Sequence, residues 1–329
     1  MDLDLTIAMS EYDHVRDLLS GKVQVSGVQL RHLPLDVEEI FYRFLRFQEW
    51  DVSEFSMGKY LAVRSQGHEG FKAIPVFPSR MFRQSGFFVR RDSKLRDARE
   101  LRGKRVGIPT WTQTAQVYAR AFLQYDCDVH FADVEWHQSG VNEPGREENL
   151  SLELPGEISL VRHTDKSLNQ LLLDGEIDAI ITAHPPQGFD PVGDSPVRYL
   201  LEDPESAESD YFDRTGVFPI MHVIVISQRI LEAHPWVAMN LYTAFEEAKD
   251  RSIARITGRT ASRFPVPWLA EHMARVTAQF GQDPFSYGIE PNRTTLENFA
   301  KWAHEQHVTV RPMKVEELFV DEVQAKFKI

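Results

Sequence analysis

The order in which strand and helix patterns follow one another is the feature that most constrains the fold of this chain. Residues 4–9 and 28–35 have the composition of strands, and each is followed by a stretch whose apolar residues recur at helical spacing. Residues 51–67 add a third strand and helix. An alternating β-α-β-α-β-α order builds a parallel sheet covered by helices, so the sequence predicts an α/β fold.

A second α/β unit follows, flanked by two further strand patterns at residues 86–91 and 220–227. A chain that leaves one unit by one strand and returns by another builds two lobes with a ligand cleft between them. With 329 residues, the chain is also long for a single core. We therefore expect lobe one to comprise residues 1–88 and 222–329, and lobe two to comprise residues 89–221.

The composition excludes several kinds of partner and site. The chain carries 49 Asp+Glu against 37 Lys+Arg, a formal charge of −12, which argues against nucleic acid or an anionic membrane as a partner. Cys127 is the only cysteine, so a disulfide within the chain and a cysteine-based metal cluster are excluded. The N-terminal residues lack a signal-peptide pattern, and no apolar run reaches the roughly 20 residues that cross a bilayer. The sequence thus predicts a soluble, cytoplasmic protein and leaves open whether it forms a homo-oligomer.

Two arginines stand three positions apart in an apolar segment, PVFPSRMFRQSGFFVRR, at residues 75–91. Arg80 and Arg83 could pack their stems on the neighbouring aromatic rings while their heads reach water. They could also clamp an anion, because the planar guanidinium matches the geometry of a carboxylate or phosphate. Both face one side only if residues 79–84 form a helical turn, since an extended segment would point them to opposite sides.

Two polar stretches are predicted to be loops. Residues 203–213, DPESAESDYFD, are expected to form an exposed loop. Residues 136–148 follow a predicted strand, a position where ligands of open α/β sheets gather, although their Asn-Glu-Pro-Gly also fits a simple solvated turn. Glu143 in this loop is a candidate catalytic residue. The other side chains of the loop that could bind a polar ligand are His137, Asn142 and Arg146.

Two histidines follow or interrupt apolar strand patterns. His184 comes directly after IDAIITA, and a side chain at the carboxyl end of a strand would face a cleft. His222 interrupts PIMHVIVIS, and it is either a core histidine with satisfied hydrogen bonds or a residue that faces the cleft. Imidazole titrates near neutral pH, so both histidines are candidate general acids.

Hydroxyl side chains mark the starts of two predicted helices. Thr110, Thr112 and Thr114 begin one of these helices, and Ser56 lies at the turn DVSEFSMGKY, next to Glu54. The amides at a helix N-terminus bind anions, so Thr112 and Ser56 are candidate ligand-binding residues. Their alternative role is to cap the helices, for which one hydroxyl per helix is enough.

Several blocks of the sequence resemble a known fold and a known family. LRGKRVGIP, LLLDGEIDAIIT and VIVISQRILEAHPWVAMNLYTAFEEA are similar to the type II periplasmic-binding-protein fold, in which a ligand cleft separates two lobes. Within that fold, PVFPSRMFR, SGVNEPGR and GVFPIMHVIVIS resemble the 4,5-dihydroxyphthalate decarboxylase family. The resemblance implies a carboxy-lyase that converts 4,5-dihydroxyphthalate to 3,4-dihydroxybenzoate and CO2. With this substrate implied, we expect Arg80 and Arg83 to bind the anion rather than to support the fold.

The reaction that the resemblance implies sets requirements on the site. Each carboxylate of the substrate lies para to a hydroxyl, so the ring itself stabilises the cation that ring protonation creates, and we expect no organic cofactor. A metal ion is not expected either, although scattered histidines could hold one on the catechol oxygens. Two rival functions stay open: a binding protein for an anionic aromatic, and a lyase similar to those of the menaquinone pathway.

Overall fold

Two mixed β-sheets form the framework of the protein, whose computed structural model describes residues 2–148, 150, 152–261 and 263–324. The strands of the two sheets are, in chain order, β1 (Leu3–Ala8), β2 (Val28–Leu33), β3 (Val52–Ser56), β4 (Phe71–Ile74), β5 (Phe87–Arg90), β6 (Arg105–Ile108), β7 (Glu135–Gln138), β8 (Leu160–Arg162), β9 (Ala179–Ile181), β10 (Val197–Tyr199) and β11 (His222–Ser227).

Helices cover the sheets and follow most of the strands. Among the described residues, none of these helices is both long enough and apolar enough to cross a membrane. The helices are, in chain order, α1 (Arg16–Leu19), α2 (Val37–Phe47), α3 (Met57–Ser65), α4 (Thr114–Asp126), α5 (Leu168–Leu173), α6 (Pro204–Thr215), α7 (Gln228–Ala233), α8 (Trp236–Thr257), α9 (Leu269–Phe280), α10 (Arg293–Glu305) and α11 (Val315–Leu318).

Sheet one has the strand order β2-β1-β3-β11-β4. Its first three strands are parallel, and β11 runs antiparallel between β3 and β4. In this register His222 lies opposite Ser56, and Ile224 lies opposite Glu54. Since side chains alternate between the faces of a strand, Glu54, Ser56 and His222 share one face of the sheet.

Sheet two has the strand order β10-β5-β9-β6-β7-β8. Strand β5 is antiparallel to both of its neighbours, whereas β9, β6, β7 and β8 are parallel. The carboxyl end of β6 leads to the start of α4, just as the carboxyl end of β3 leads into α3. The predicted α/β alternation is therefore present in both sheets.

Two extended segments carry the chain between the sheets. Residues 75–86 leave sheet one and residues 216–221 return to it, and the two segments are hydrogen-bonded to each other. The Met221 amide donates to the Ser79 carbonyl at 2.8 Å, and the Met81 amide donates to the Pro219 carbonyl at 3.2 Å. Most of the buried apolar side chains belong to one cluster that includes strands of both sheets. The lobe boundaries expected from the sequence stay a prediction.

The expectation that residues 203–213 form a loop is wrong, because this stretch forms most of α6. The Asp203 side chain caps the helix by accepting a hydrogen bond from the Ser206 amide at 3.1 Å, and Pro204 occupies its first turn. Gly216 ends the helix in a left-handed conformation. Tyr211 is buried and anchors an otherwise polar helix, so the polar composition reflects its solvent-facing side.

Candidate active site

A cleft of about 470 Å³ opens between the two sheets, at the ends of β3, β11 and β6. One side is formed by α2, by the start of α3 and by the first residues of β11. The other side is formed by the turn before α4, by the loop after β7 and by the residues that follow β9. Pockets of this size hold single small molecules.

The N-terminal ends of α3 and α4 meet at the cleft. Ser56 caps α3, and its Oγ lies 3.0 Å from Oγ1 of Thr114, the first residue of α4. Thr114 Oγ1 also accepts a hydrogen bond from the Gly58 amide at 2.9 Å. This close approach requires glycine, because a Cβ at position 58 would lie 2.5 Å from the Thr112 carbonyl oxygen. The positive ends of two helix dipoles therefore point towards the same space, which favours an anionic ligand.

His222 lines the cleft and is held by a buried carboxylate. Its Nδ1 lies 2.6 Å from Oε1 of Glu54, the side chain that shares its face of sheet one. The Tyr12 hydroxyl donates to the same oxygen at 2.5 Å, and the Ser10 amide donates to Oε2 at 2.8 Å. Burial and the Glu54 carboxylate raise the pKa of Tyr12, so the hydroxyl keeps its proton.

These contacts fix the orientation of the imidazole. A carboxylate only accepts hydrogen bonds, so Nδ1 of His222 carries the proton that Glu54 accepts. The ring of Phe41 packs edge-on against the imidazole, with 4.9 Å between ring centroids. In the described part of the chain Nε2 of His222 has no protein partner, which leaves this nitrogen free for a ligand in the cleft.

Arg83 brings an unneutralised positive charge to the cleft. Its side chain is buried, with 7% of the residue exposed, and its Nε donates to Sδ of Met221 at 3.2 Å. Burial lowers the pKa of Arg83 to about 10, so the guanidinium is still charged at neutral pH. Within the described ranges, no carboxylate forms an ion pair with it, and Glu208 acts on it only through space, raising its pKa against the effect of burial. Of the two arginines that the sequence singled out, Arg83 is the one that faces the cleft.

Arg80 lies outside the cleft. Its guanidinium donates to the carbonyl oxygens of Phe218 and Ser286, at 2.9 and 3.2 Å, and it packs over the Phe218 ring at 4.4 Å. Burial lowers the pKa of Arg80 to about 10. The segment around both arginines is extended, and only the three residues after Arg83 form a short helical turn. As expected for an extended segment, the two side chains point to different environments.

The outer rim of the cleft contains an ion pair between α2 and the loop after β7. Nη1 of Arg146 lies 2.9 Å from Oε1 of Glu38, and Nε2 of His184 lies 4.0 Å from the same oxygen. The His184 side chain is 62% exposed. Both predicted residues therefore line the cleft, but Arg146 is already neutralised and His184 is largely in contact with solvent.

Four other residues singled out from the sequence do not line the cleft. Asn142 Oδ1 accepts from the Gln187 amide, and Glu143 is exposed. Thr112 donates through its amide and hydroxyl to Glu148, at 2.9 and 2.5 Å. His137 is a fourth such residue, hydrogen-bonded to His163 at 2.8 Å and to Glu135 at 3.0 Å, and burial lowers its pKa.

Sequence reasoning missed two residues, one that lines the cleft and one that contacts Glu54 without lining the cleft itself. Lys59 lines the cleft from the first turn of α3, and burial lowers its pKa. A lysine in the first turn of a helix opposes the helix dipole, and this unfavourable position is a signal that could have identified it. Tyr12 lies in the chain segment after β1 and reaches Glu54 across sheet one. Its one signal in the sequence is that it follows the carboxyl end of β1, where ligand-binding residues of α/β sheets gather.

One group of three carboxylates has the spacing of a metal site in the described part of the chain. Glu246, Asp250 and Asp283 lie together, away from the cleft. Lys249 contacts all three carboxylates, and its ammonium group already supplies the positive charge that they need. This cluster is therefore satisfied as an ion-pair network. Among the residues that the structure describes, no comparable group of His, Cys, Asp or Glu lines the cleft.

The comparisons with known proteins agree with this architecture. The periplasmic aliphatic sulphonate binding protein SsuA from Escherichia coli superposes with a TM-score of 0.54 at 14% identity, covering 100% of this chain and 96% of that chain. The chain thus has a periplasmic-binding-protein-like fold, and the predicted two-lobed type II fold is confirmed. Identity this low shows the fold alone.

Sequence comparison places the chain within one family. It is 36% identical to a 4,5-dihydroxyphthalate decarboxylase from Comamonas testosteroni over 328 residues, 99% of both chains. It is 37% identical to a 4,5-dihydroxyphthalate decarboxylase from Pseudomonas putida over 211 residues, covering 64% of this chain and 81% of the relative. A scan against protein-family models found no match. The chain belongs to the 4,5-dihydroxyphthalate decarboxylase family, as its sequence blocks predicted.

Proposed function

We propose that this protein decarboxylates 4,5-dihydroxyphthalate to 3,4-dihydroxybenzoate and CO2. The observation that carries this proposal is the relation to a 4,5-dihydroxyphthalate decarboxylase over 99% of both chains. The cleft supports it independently, since it combines a carboxylate-held imidazole with an unneutralised guanidinium. An acid and an anion anchor are the two elements that ring protonation of an aromatic carboxylate requires.

The substrate supplies its own electron reservoir. Protonation of a carboxylate-bearing ring carbon creates a cation, which the oxygen para to that carbon delocalises. The bond between this carbon and the carboxylate then breaks, its electron pair restores the aromatic ring, and CO2 leaves. The reaction consumes one proton for each CO2 released, so the protein has to provide an acid that is protonated again in every turnover.

His222 is the residue that we assign as the proton donor. In its imidazolium form, Nε2 carries a proton towards the cleft while Nδ1 stays bonded to Glu54. The buried carboxylate stabilises the positive ring before the transfer and holds its orientation afterwards. His184 is the alternative donor, but its exposure and its distance from Glu38 leave it less firmly oriented.

Arg83 is assigned to the carboxylate that remains on the ring. Its fork can donate two parallel hydrogen bonds, which would fix the ring in one orientation. Met81 and Phe41 also line the cleft and offer apolar surface to the ring.

The remaining predicted residues receive supporting roles in this proposal. Ser56 joins the ends of α3 and α4 and presents its hydroxyl to the cleft. Thr112 holds the loop after β7 through Glu148. Arg146 lies at the rim, where a ligand carboxylate can compete with Glu38 for it. Asn142, His137 and Glu143 support the loop or the sheet and do not touch the substrate.

The proposed chemistry runs without an organic cofactor, and we expect it to run without a metal ion. Activity after dialysis against a chelator checks the second expectation. Loss of turnover that a divalent ion reverses would contradict it. The lobe assignment, residues 1–88 with 222–329 against residues 89–221, and the cytoplasmic location are part of the same proposal.

The direct test is to incubate the purified protein with 4,5-dihydroxyphthalate while following CO2 and the ultraviolet spectrum. The proposal predicts stoichiometric CO2 and the spectrum of 3,4-dihydroxybenzoate. The fold alone is that of binding proteins, so the competing outcome is saturable binding with no turnover. That outcome would overturn the proposal.

A further inference from the structure

We propose that Lys59 is the second anion anchor of the cleft, which makes the site selective for an aromatic ring with two carboxylates over one with a single carboxylate. The inference deepens the proposed function and rests on it for the identity of the natural substrate. The sequence suggested that Arg80 and Arg83 would share the task of binding anions. With Arg80 bonded to backbone carbonyls outside the cleft and Arg146 paired with Glu38, Arg83 is the one cleft arginine without an ion pair among the described residues.

Lys59 occupies a position that the fold does not explain. It lines the cleft from the first turn of α3, where its charge opposes the helix dipole. In the part of the chain that the structure describes, its ammonium group forms no ion pair and no hydrogen bond, and only its backbone amide is bonded, to Ser56 Oγ. Burial lowers the pKa of Lys59, so the free protein keeps this charge at a cost. A bound anion would remove that cost.

The charges that line the cleft balance a dianion. Its cations are Lys59, Arg83 and Arg146, and Arg146 is neutralised by Glu38 at 2.9 Å. Glu147 is exposed, where water screens its charge. Lys59 and Arg83 therefore remain without an ion pair in the described part of the chain, although Glu148 raises the pKa of Lys59 and Glu208 raises that of Arg83 through space. The N-terminal ends of α3 and α4 add to the positive field. A ring with two adjacent carboxylates supplies two negative charges, whereas a monocarboxylate leaves one cation without a partner.

Calorimetric titration with unreactive ligands tests this inference without relying on turnover. The ligands are phthalate, with two carboxylates, benzoate, with one, and 3,4-dihydroxybenzoate, with one carboxylate and the catechol. In Lys59→Met we expect phthalate affinity to fall roughly tenfold to a hundredfold, as for a lost hydrogen bond between charged groups. Affinity for benzoate and for 3,4-dihydroxybenzoate should change less than about twofold, since Arg83 holds the carboxylate that these ligands share with phthalate.

Two further variants control the result. Lys22→Met removes an exposed lysine outside the cleft and should leave all three affinities unchanged. Lys59→Arg keeps the positive charge and should retain most of the preference for phthalate. Because the buried Lys59 charge is kept at a cost in the free protein, Lys59→Met should unfold at the same or a higher temperature than the wild type, which shows that its fold is intact.

The outcomes separate this inference from the proposed function. A selective loss of phthalate affinity supports the anchor even if the protein releases no CO2 from 4,5-dihydroxyphthalate. An equal loss for phthalate and benzoate overturns it, because Lys59 would then act on the whole ligand. A loss confined to 3,4-dihydroxybenzoate also overturns it and places Lys59 beside the catechol. Absence of phthalate binding by the wild-type protein overturns it as well.

Discussion

Arg80 and Arg83 are separated by two residues, yet they lie in two regions of different character. Arg80 sits among aromatic rings and donates to the carbonyls of Phe218 and Ser286, so its hydrogen bonds are made within the fold. Arg83 faces the cleft with only a thioether at its Nε. One arginine joins parts of the chain, and the other keeps donors available for a ligand.

The contrast shows that a charged residue should be judged by what its polar atoms touch. Both guanidiniums are largely withdrawn from water, and burial lowers the pKa of each to about 10. The loss of hydration is therefore similar for the two arginines. Both terminal nitrogens of Arg80 are bonded to carbonyl oxygens and its Nε is unpaired, whereas in the described part of the chain the terminal nitrogens of Arg83 have no hydrogen-bond partner. A buried charge with unused donors that lines a cleft indicates a binding site.

The largest effect is expected for His222, which lines the cleft as Arg83 does. In His222→Gln, loss of the proton donor should lower kcat by roughly 10²–10⁴-fold, the usual contribution of a general acid. His130→Gln removes an exposed histidine outside the cleft and should leave kcat unchanged. Rates of CO2 release measure both. Near-normal turnover by His222→Gln would show that another residue donates the proton, and His184 is the first candidate.

The next effect compares the two arginines directly. Arg83→Met should lower kcat/KM by a factor of about 30 to several thousand, since it removes roughly 2–5 kcal/mol of binding from one carboxylate. Its stability should change little. Arg80→Met should keep kcat/KM within about threefold but lose roughly 1–3 kcal/mol of unfolding free energy, because two backbone carbonyls lose their donors.

Steady-state kinetics and urea unfolding on the same two variants check this prediction. We expect Arg83→Met to lose activity and keep its stability, and Arg80→Met to lose stability and keep its activity. If both variants lose activity to the same extent, the distinction between the two regions fails. If Arg83→Met is destabilised and keeps its kcat/KM, Arg83 belongs to the fold and the anion site lies elsewhere.

A smaller effect is expected at Tyr12, which acts through Glu54. Tyr12→Phe removes the hydroxyl that donates to the oxygen bonded to His222. We expect kcat to fall roughly threefold to tenfold, the value of one ordinary hydrogen bond, because the hydroxyl acts on His222 only through Glu54, with KM unchanged. Tyr125→Phe is the matched control, because Tyr125 donates to Glu305 at 2.5 Å outside the cleft. An equal effect in both variants would contradict a specific role for Tyr12.

The smallest effect is expected in the loop after β7. Glu143 is exposed and does not line the cleft, so Glu143→Gln should change kcat and KM less than about twofold. Arg146→Met, in the same loop, should change KM more, since Arg146 does line the cleft. A loss of kcat in Glu143→Gln would show that this loop reaches the substrate in the bound state.

Much of the fold was predictable from the sequence, because local patterns decide it. The alternation of strand and helix patterns predicted the α/β fold, and the polar residue in an otherwise apolar strand drew attention to His222. The wrongly predicted helix α6 shows the limit of composition. Its polar residues suggested a loop, but a capping Asp203, a terminal Gly216 and one buried tyrosine are enough to specify a helix.

The composition of the cleft was harder to predict, because contacts between distant parts of the chain decide it. Glu54 and His222 are 168 positions apart and meet only through the register of β3 and β11. Asn142 had a plausible ligand-binding side chain, yet the Gln187 amide uses its oxygen. Lys59 gave no motif at all. The sequence indicated which polar residues stand in or directly after apolar segments. The packing of distant segments determines which of these residues line the cleft.

The measurement that tests the central claim most directly is the reaction of 4,5-dihydroxyphthalate in D2O, followed by mass spectrometry and NMR of the product. Proton delivery to the ring carbon that loses CO2 predicts 3,4-dihydroxybenzoate with a single deuterium, located para to the 3-hydroxyl. The rate of its formation should fall strongly in Arg83→Met and His222→Gln and stay close to the wild-type rate in Arg80→Met. Product without deuterium, or equal rates in all three variants, would contradict the account.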